Sequence, residues 1–343
     1  MSMFFYWFES GCLNNSYRVG EQSGLKPGIM ENMRLKKLLK RVSFVILGFV
    51  IFCILITAII MKFSLYGSSE HNITVNGVNR SYLLHLPKNY DPDKKYPLVL
   101  FFHGYGNSPK IAEWYSGMSR KGDREGFIVV YPKGTGYGPG FYLSWNAGFC
   151  CDLAAKNKVD DVGFTKVLVE SLEKNYSIDP SRVYATGHSN GALFVHRLGL
   201  ELSDMFAAVA PLSGSVGGIT TPKNSAMNNG MKHPRLKFEN KPTFKPVPIL
   251  IAHGKLDTVV PYGGGKHQDT TFDSVDKTVS FWLKNNTCDL SSKEISKENG
   301  TITEKYVCQN SAVEFVTYPD GHHAWFGGNY DSLKYGGVKY EKA

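Results

Sequence analysis

The chain has 343 residues, 42% of them hydrophobic, and a formal net charge of +9 at neutral pH. That length allows one substantial core plus an appendage, and it excludes a small scaffold held together mainly by disulfides. The charge is unevenly placed: residues 1–69 hold 8 Lys+Arg against 3 Asp+Glu, whereas residues 70–343 hold 31 against 27. The folded part is therefore only mildly basic and carries no stripe suited to nucleic acid.

Residues 1–29 combine an aromatic cluster with Gly/Ser/Asn-rich sequence and suggest no fold. The whole of 1–41 is expected to be a disordered tail, basic near its end. Val42 to Met61 is an uncharged apolar run of 20 residues, long enough to cross a bilayer as a helix. Arg34, Lys36, Lys37, Lys40 and Arg41 precede it and only Lys62 follows closely. The positive-inside rule then puts the N-terminus in the cytoplasm and everything after about residue 65 outside or in a lumen. A cleaved signal peptide is the competing reading, with a start at Met30 or Met33 and a small-x-small cleavage site at Gly67-x-Ser69. The length of the run favours a membrane anchor, and both readings deliver residues 70–343 to the same side. Within residues 70–343, five Asn-x-Ser/Thr triplets, opening at Asn72, Asn79, Asn175, Asn285 and Asn299, agree with that address.

Strand signals come first in the domain: Ile73–Val75 and Ser81–Leu86, joined through Asn76-Gly77 as a hairpin. Pro97–Phe102 is a continuous apolar run, the pattern of a strand buried on both faces. A helix over about 109–124 and a strand at Phe127–Tyr131 follow. Gly134 to Gly148 reads as a Gly-rich loop carrying Tyr137, Phe141, Tyr142 and Trp145. Asp160-Asp161 opens a helix to about Tyr176, and Ala207–Leu212 is a short buried strand. Residues 215–246 form a polar, irregular insertion. A strand at Val247–Ala252, a helix at Ser274–Asn286 and a strand at Val313–Tyr318 complete the pass. Short apolar strands alternating with amphipathic helices imply a mostly parallel sheet with helices on both faces and an antiparallel leading hairpin, the α/β-hydrolase layout.

Between two of these elements lies Val183-Tyr184-Ala185-Thr186-Gly187-His188-Ser189-Asn190-Gly191-Ala192. A buried strand runs into Gly-x-Ser-x-Gly and then into a helical pattern, as a nucleophile elbow requires. The remaining parts must follow in the order acid, then histidine, each at a later strand end. Asp257 follows the strand ending at Ala252, and a histidine, His322 or His323, follows the strand ending at Tyr318. In this arrangement the histidine takes the Ser189 proton during attack on an ester carbonyl, and Asp257 holds its tautomer. The oxyanion donors are expected to be the N–H groups of Asn190 and Tyr105. Of the other histidines, His103 is expected to brace the oxyanion loop and His188 to line the site. Trp145, Tyr142, Tyr105 and Trp325 are candidates for stacking on an aromatic or sugar-bearing substrate, with packing an equally good account of each. No His/Cys/Asp set has ligand spacing, so neither metal nor cofactor is expected.

Four cysteines fall in the domain. Cys288 and Cys308 flank a polar, hairpin-like excursion that a disulfide would staple, and the adjacent Cys150 and Cys151 pair either with each other or elsewhere.

Trp145-Asn146-Ala147-Gly148…Cys150-Cys151, Val159-Asp160-Asp161-Val162-Gly163-Phe164, Ile178 to Gly191 and Phe206-Ala207-Ala208-Val209-Ala210-Pro211 closely resemble the secreted polyhydroxybutyrate depolymerase/feruloyl esterase group of α/β-hydrolases. The resemblance runs from about Asn72 to Gly328 and leaves out the first 70 residues. Aligning on Trp325 makes His323 the base, puts His322 where that group commonly has Gly, and puts Phe326 in place of a usual Pro. The 215–246 segment departs from the group. The resemblance implies a serine carboxylic-ester hydrolase acting through an acyl-enzyme, with feruloyl esters of plant cell-wall polysaccharide as substrate. Polyhydroxybutyrate and acetylxylan are the alternative substrates. A peptidase on the same fold, or a membrane-tethered binding protein without activity, would be alternatives of another class.

Overall fold

The computed structural model describes residues 27–64, 67–138, 140–220 and 245–328. The chain divides into two units, Met1–Lys62 and Phe63–Ala343. The first holds most of helix α1 (Pro27–Ser64). Leu38–Ile56 within it, with a mean hydropathy of 2.4, is long and apolar enough to cross a membrane by length and composition. The expected span 42–61 therefore lies inside a longer helix. Its start at Pro27 corrects the expectation that the whole of 1–41 is unstructured: Arg34 to Arg41 ride on the helix, and proline suits a first helical position, where its missing N–H has no partner to lose. Residues 1–26, with Cys12, lie outside the described residues.

The second unit begins with strands β1 (Ser69–Val75) and β2 (Val78–His85). Both turn residues between them, Asn76 and Gly77, have positive φ (51° and 78°), as a two-residue hairpin demands. Strand β3 (Tyr96–Phe102), helices α2 (Pro109–Ser116) and α3 (Met118–Glu125) and strand β4 (Ile128–Pro132) follow. The single helix expected over about 109–124 is two, because Gly117 at φ 67° caps α2 with its N–H on the Glu113 carbonyl. The segment read as a Gly-rich loop contains a short ribbon, β5 (Thr135–Tyr137) with β6 (Phe141–Ser144). Helix α4 (Asp152–Lys156) precedes α5 (Asp161–Asn175), whose N-cap Asp160 accepts from the Gly163 N–H at 2.8 Å.

Next come β7 (Ile178–His188), α6 (Asn190–Glu201), β8 (Ala208–Leu212) and β9 (Gly218–Thr220). Of the insertion expected at 215–246, residues 221–244 lie outside the described residues. Its opening is ordered, with Ser215 and Val216 buried and β9 pairing with β12. The chain ends with β10 (Ile249–Gly254), β11 (Gly265–His267), β12 (Thr270–Phe272), α7 (Val275–Asn285), β13 (Glu294–Glu298), β14 (Thr301–Cys308) and β15 (Ser311–Tyr318).

One ten-stranded sheet, in the order β1-β2-β4-β3-β7-β8-β10-β15-β14-β13, organises the unit. The six strands from β4 to β15 are parallel; the leading hairpin is antiparallel at one edge and β14 and β13 at the other. Period-two alternation along β3 divides the core into two layers. Leu98, Leu100 and Phe102 pack with α5, α6 and α7 through Leu168, Phe194 and Trp282. Phe101 packs on the opposite face with Ala112 and Tyr115 of α2 and with Trp325. The chain leaves β3 for β4 on one side and returns to β7 on the other, so the strand order reverses between β3 and β7. In open α/β sheets the crevice at the strand ends there is where ligands bind.

The loop beneath that crevice is held by a buried ion pair. Arg80 reaches Asp161 Oδ1 at 2.8 Å, Oδ2 accepts from the Asn146 N–H at 2.9 Å, and the guanidinium of Arg197 donates to the Asn146 carbonyl at 2.8 Å. Removing one partner of such a pair strands the other's charge. Asp161→Ala is therefore expected to lower unfolding free energy by about 3–5 kcal/mol, measured by denaturant titration.

Candidate active site

Strand β7 stops at His188, and Ser189 adopts φ 58° and ψ −124°, a positive-φ conformation that a residue with a side chain rarely takes. The glycines on either side make this possible. A Cβ on Gly187 would lie 2.7 Å from the Phe102 carbonyl oxygen, and one on Gly191 would collide with the same carbonyl. The Ser189 N–H is taken by the Leu212 carbonyl at 3.1 Å, and its own carbonyl accepts from Leu193 at 3.0 Å. Helix α6 therefore starts directly behind the hydroxyl, with its first N–H groups, that of Asn190 among them, lacking intrahelical partners.

The loop after β3 lies against this serine, since a Cβ on Gly104 would come within 3.3 Å of Ser189 Cβ. His103 braces the loop from a fully buried position: Nδ1–H donates to the Gly104 carbonyl at 2.8 Å, and Nε2 accepts from the Gly134 N–H at 3.1 Å. Burial drives its pKa down to about 4, which keeps Nε2 free to accept. Tyr105 follows with its ring exposed. The Asn190 side chain turns away from the site: its amide donates to the Trp145 carbonyl at 3.0 Å, and its Oδ1 accepts from the Trp145 N–H at 2.7 Å.

Those two bonds explain a correction. Trp145, expected to contact substrate, is completely buried, with Nε1–H on the His103 carbonyl at 3.1 Å and its ring stacked on Phe194. Trp325 is also core, edge-on to Phe101 at 4.7 Å. Both are framework around the site. Of the four aromatic candidates, only Tyr105 and Tyr142 are exposed.

At the ends of β10 and β15, Asp257 and His323 meet. His323 Nδ1 lies 2.8 Å from Asp257 Oδ2, whereas Oδ1 accepts the N–H groups of Val259 and Val260 at 2.8 and 2.9 Å. His322 is half-buried beside it, and it is His323 that reaches the carboxylate. Ser213 Oγ donates to the Ala324 carbonyl at 3.0 Å and fixes the histidine loop. His188 lies with its ring 4.8 Å from that of His323 and edge-on to Tyr115. Burial, and then the neighbouring His323, hold the pKa of His188 well below the usual value, so it stays neutral.

One contributor is absent from the sequence reading. His253 is fully buried at the end of β10, with Nε2–H donating to the Val260 carbonyl at 2.9 Å and lying 3.2 Å from Asp257 Oδ2. The signal was its place four residues before the acid, His253-Gly254-x-x-Asp257, but nothing in that spacing says which way the ring turns. The cysteines are resolved as well: Cys150 pairs with Cys151, and Cys288 with Cys308. Among the described residues no group of His, Cys, Asp and Glu could hold a metal ion.

A serine on a strand-to-helix turn, backbone N–H groups beside it, and a histidine–carboxylate pair on later strands of a mostly parallel sheet define an α/β-hydrolase. The family model "Esterase: Putative esterase" matches residues 75–321, and the chain belongs to that family. Feruloyl esterase C of Emericella nidulans is 26% identical over 269 residues, covering 75% of this chain and 82% of that protein. Feruloyl esterase B of Piromyces equi is 28% identical over 252 residues, covering 71% of this chain; the match spans only 42% of that larger protein. The solved acetyl xylan esterase from Aspergillus awamori shares the fold, with a TM-score of 0.53 at 18% identity over 78% of this chain and 99% of the other. The chain is a serine carboxylic-ester hydrolase, in agreement with the resemblance carried by its motifs.

Burial alone would raise the Asp257 carboxyl, but the bonds and charges of His253 and His323 outweigh it and hold it well below the usual carboxylate range. A depressed folded value stabilises the fold above the unfolded pKa of about 3.9, and that stabilisation is lost as pH falls through the folded value. The stability difference between the wild type and Asp257→Asn is therefore expected to be level from neutral pH down to about 5 and to shrink below about 4, read from denaturant titrations across pH.

Proposed function

We propose that Ser189, His323 and Asp257 form the catalytic triad of an acyl-transferring esterase whose substrates are feruloyl esters of plant cell-wall polysaccharide. The observation that carries the reading is the 2.8 Å bond between His323 Nδ1 and Asp257 Oδ2 on the same rim as the strained Ser189. That bond fixes His323 as the tautomer with Nε2 free to accept, which is the form that removes a hydroxyl proton. Ser189 Oγ attacks the ester carbonyl as His323 takes its proton. The tetrahedral oxyanion is held by the N–H groups of Asn190 and Tyr105, and the alcohol leaves with the proton from His323. Water then repeats the sequence on the acyl-enzyme. Asp257 stabilises the imidazolium in each half-reaction without becoming protonated, which its depressed pKa favours.

The acyl preference rests on the relatives, two of which are named feruloyl esterases. Polyhydroxybutyrate-type polyester and acetylxylan are alternatives for the same triad, because the three differ in cleft shape and not in chemistry. A tethered binding protein without activity is disfavoured by the complete arrangement around Ser189. We further read α1 as a type II anchor that displays the domain outside or in a lumen, on the strength of its apolar stretch and the basic residues preceding it.

The test is hydrolysis of methyl ferulate, a 3-hydroxybutyrate oligomer and p-nitrophenyl acetate by the full chain in detergent, beside Ser189→Ala. The variant is expected to lose roughly a thousandfold or more in kcat and to escape labelling by a fluorophosphonate. Preference for ferulate supports the substrate, preference for hydroxybutyrate replaces it, and wild-type activity no greater than that of Ser189→Ala overturns the mechanism. For topology, the full chain made in microsomes should carry glycans removable by an endoglycosidase and should survive added protease beyond residue 65.

A further inference from the structure

The Gly-rich segment that carries Trp145 also carries tyrosines that the core does not absorb. Tyr105, Tyr137 and Tyr142 are 46%, 47% and 60% exposed, on a domain whose other large aromatic side chains are mostly packed inside. They come from the loop after β3, from β5 and from β6; Tyr105 and Tyr137 converge on one carboxylate, and Tyr142 lies beside the Tyr105 ring. Tyr105 OH donates to Asp152 Oδ2 at 3.0 Å, Tyr137 OH donates to Asp152 Oδ1 at 3.3 Å, and the rings of Tyr105 and Tyr142 lie 6.2 Å apart with a 31° tilt. The pieces are tied together, since the Gly106 N–H donates to the Leu143 carbonyl at 2.9 Å. Tyr142 and Asp152 both hold positive φ, at 50° and 42°. Such backbone costs about 1–3 kcal/mol per residue and persists where the surroundings impose it, commonly at ligand clamps.

The array is continuous with the reaction site. Gly104, next to Tyr105 in the chain, is the residue whose backbone lies against Ser189. We propose that Tyr105, Tyr137, Tyr142 and Asp152 form a subsite for a neutral sugar ring of the carbohydrate portion of the ester. The chemistry of the surface selects that ligand. Two of the phenols spend their only hydrogens on Asp152, so outward they present ring faces and oxygens that can only accept. A pyranose or furanose offers the complement, a C–H face for the rings and several hydroxyl donors for the oxygens. A feruloyl ring offers one hydroxyl, and an aliphatic polyester oligomer has no hydroxyl along its length. The tyrosines keep this form over the working pH range, because burial and the Asp152 carboxylate raise Tyr105 to about 12, and the Asp152 charge raises Tyr137. The bonds to Asp152 also hold two of the rings in place before a ligand arrives, which reduces the ordering cost of binding.

This inference rests on the carbohydrate-ester reading above, and two measurements keep the two separable. In the first, kcat/KM is determined for a feruloylated arabinoxylo-trisaccharide and for methyl ferulate, using the full chain in detergent with wild type, Tyr137→Ala and Tyr142→Ala. The ratio of trisaccharide to methyl ester is expected to fall roughly tenfold in each variant, mainly through KM. Tyr137→Phe is expected to keep about half of the wild-type ratio, since it retains the ring and loses the acceptor. An unchanged ratio in both alanine variants, with near-ultraviolet circular dichroism unaltered, overturns the subsite. An equal fall on both substrates overturns it too, because the platform would then hold the acyl ring. In the second, an unesterified arabinoxylo-oligosaccharide is titrated calorimetrically into Ser189→Ala with and without Tyr137→Ala. A roughly tenfold weaker Kd in the double variant supports the subsite even if wild type proves inactive on ferulate. No binding by Ser189→Ala, or equal Kd values, overturns it whatever the acyl preference.

Discussion

The site depends on the closeness of two backbones. The carbonyl of Phe102, the last residue of β3, comes so near the elbow that neither Gly187 nor Gly191 can carry a side chain. This contact lets β7 turn into α6 over a single residue, with Ser189 in a strained positive-φ conformation. It also aligns three things at one sheet crossing: the hydroxyl, the free N–H groups at the start of α6, and the loop that continues β3. Without the close approach these groups would belong to separate elements with no fixed relation.

Around that contact, buried polar groups act as locators. Asn190 carries its functional N–H on the backbone, while its side chain clasps both the N–H and the carbonyl of Trp145. Asp161 holds the next residue, Asn146, and Asp257 takes two backbone N–H groups before it reaches His323. Each is a desolvated carboxylate or amide whose polar side-chain atoms all have partners, and such groups tolerate little displacement, because any lost bond leaves an unpaired polar atom in a dry interior. The scaffold is therefore stiff where catalysis needs atoms fixed, and the stiffness comes from polar bonds as much as from apolar packing.

These features differ in how far they can be read from residues alone. The parallel strands are legible because burial on both faces leaves continuous apolar runs such as Leu98–Phe102, and the order of Ser189, Asp257 and His323 follows from which strand ends they occupy. Helix α2 ends earlier than its periodicity suggests, since Gly117 competes with continuation and wins by satisfying the Glu113 carbonyl. Strand β13 is legible only as part of a hairpin-like excursion between Cys288 and Cys308: every one of its residues is exposed, so it has no apolar alternation to set its bounds. Trp145 reads equally well as rim or core, because an aromatic residue among glycines looks like a rim residue until the clasp from Asn190 is seen. His253 has no legible role for a similar reason, as its ring direction is set by the turn of residues 257–260 and not by spacing.

Strand β13 also bears on how the molecule behaves in company. A sheet that ended at β15 would present a long row of unpaired amides, ready to accept another chain. Instead the polypeptide doubles back twice. Cys288–Cys308 pins the base of the excursion, and cross-strand pairs between Lys293 and Glu304 and between Lys305 and Glu314 lace it together. The outermost strand, Glu294-Ile295-Ser296-Lys297-Glu298, sets charged side chains along the rim, where a docking strand would have to desolvate them. The covalent pin and the charged border thus serve colloidal behaviour: they let copies of the domain crowd together at high local density without joining edge to edge.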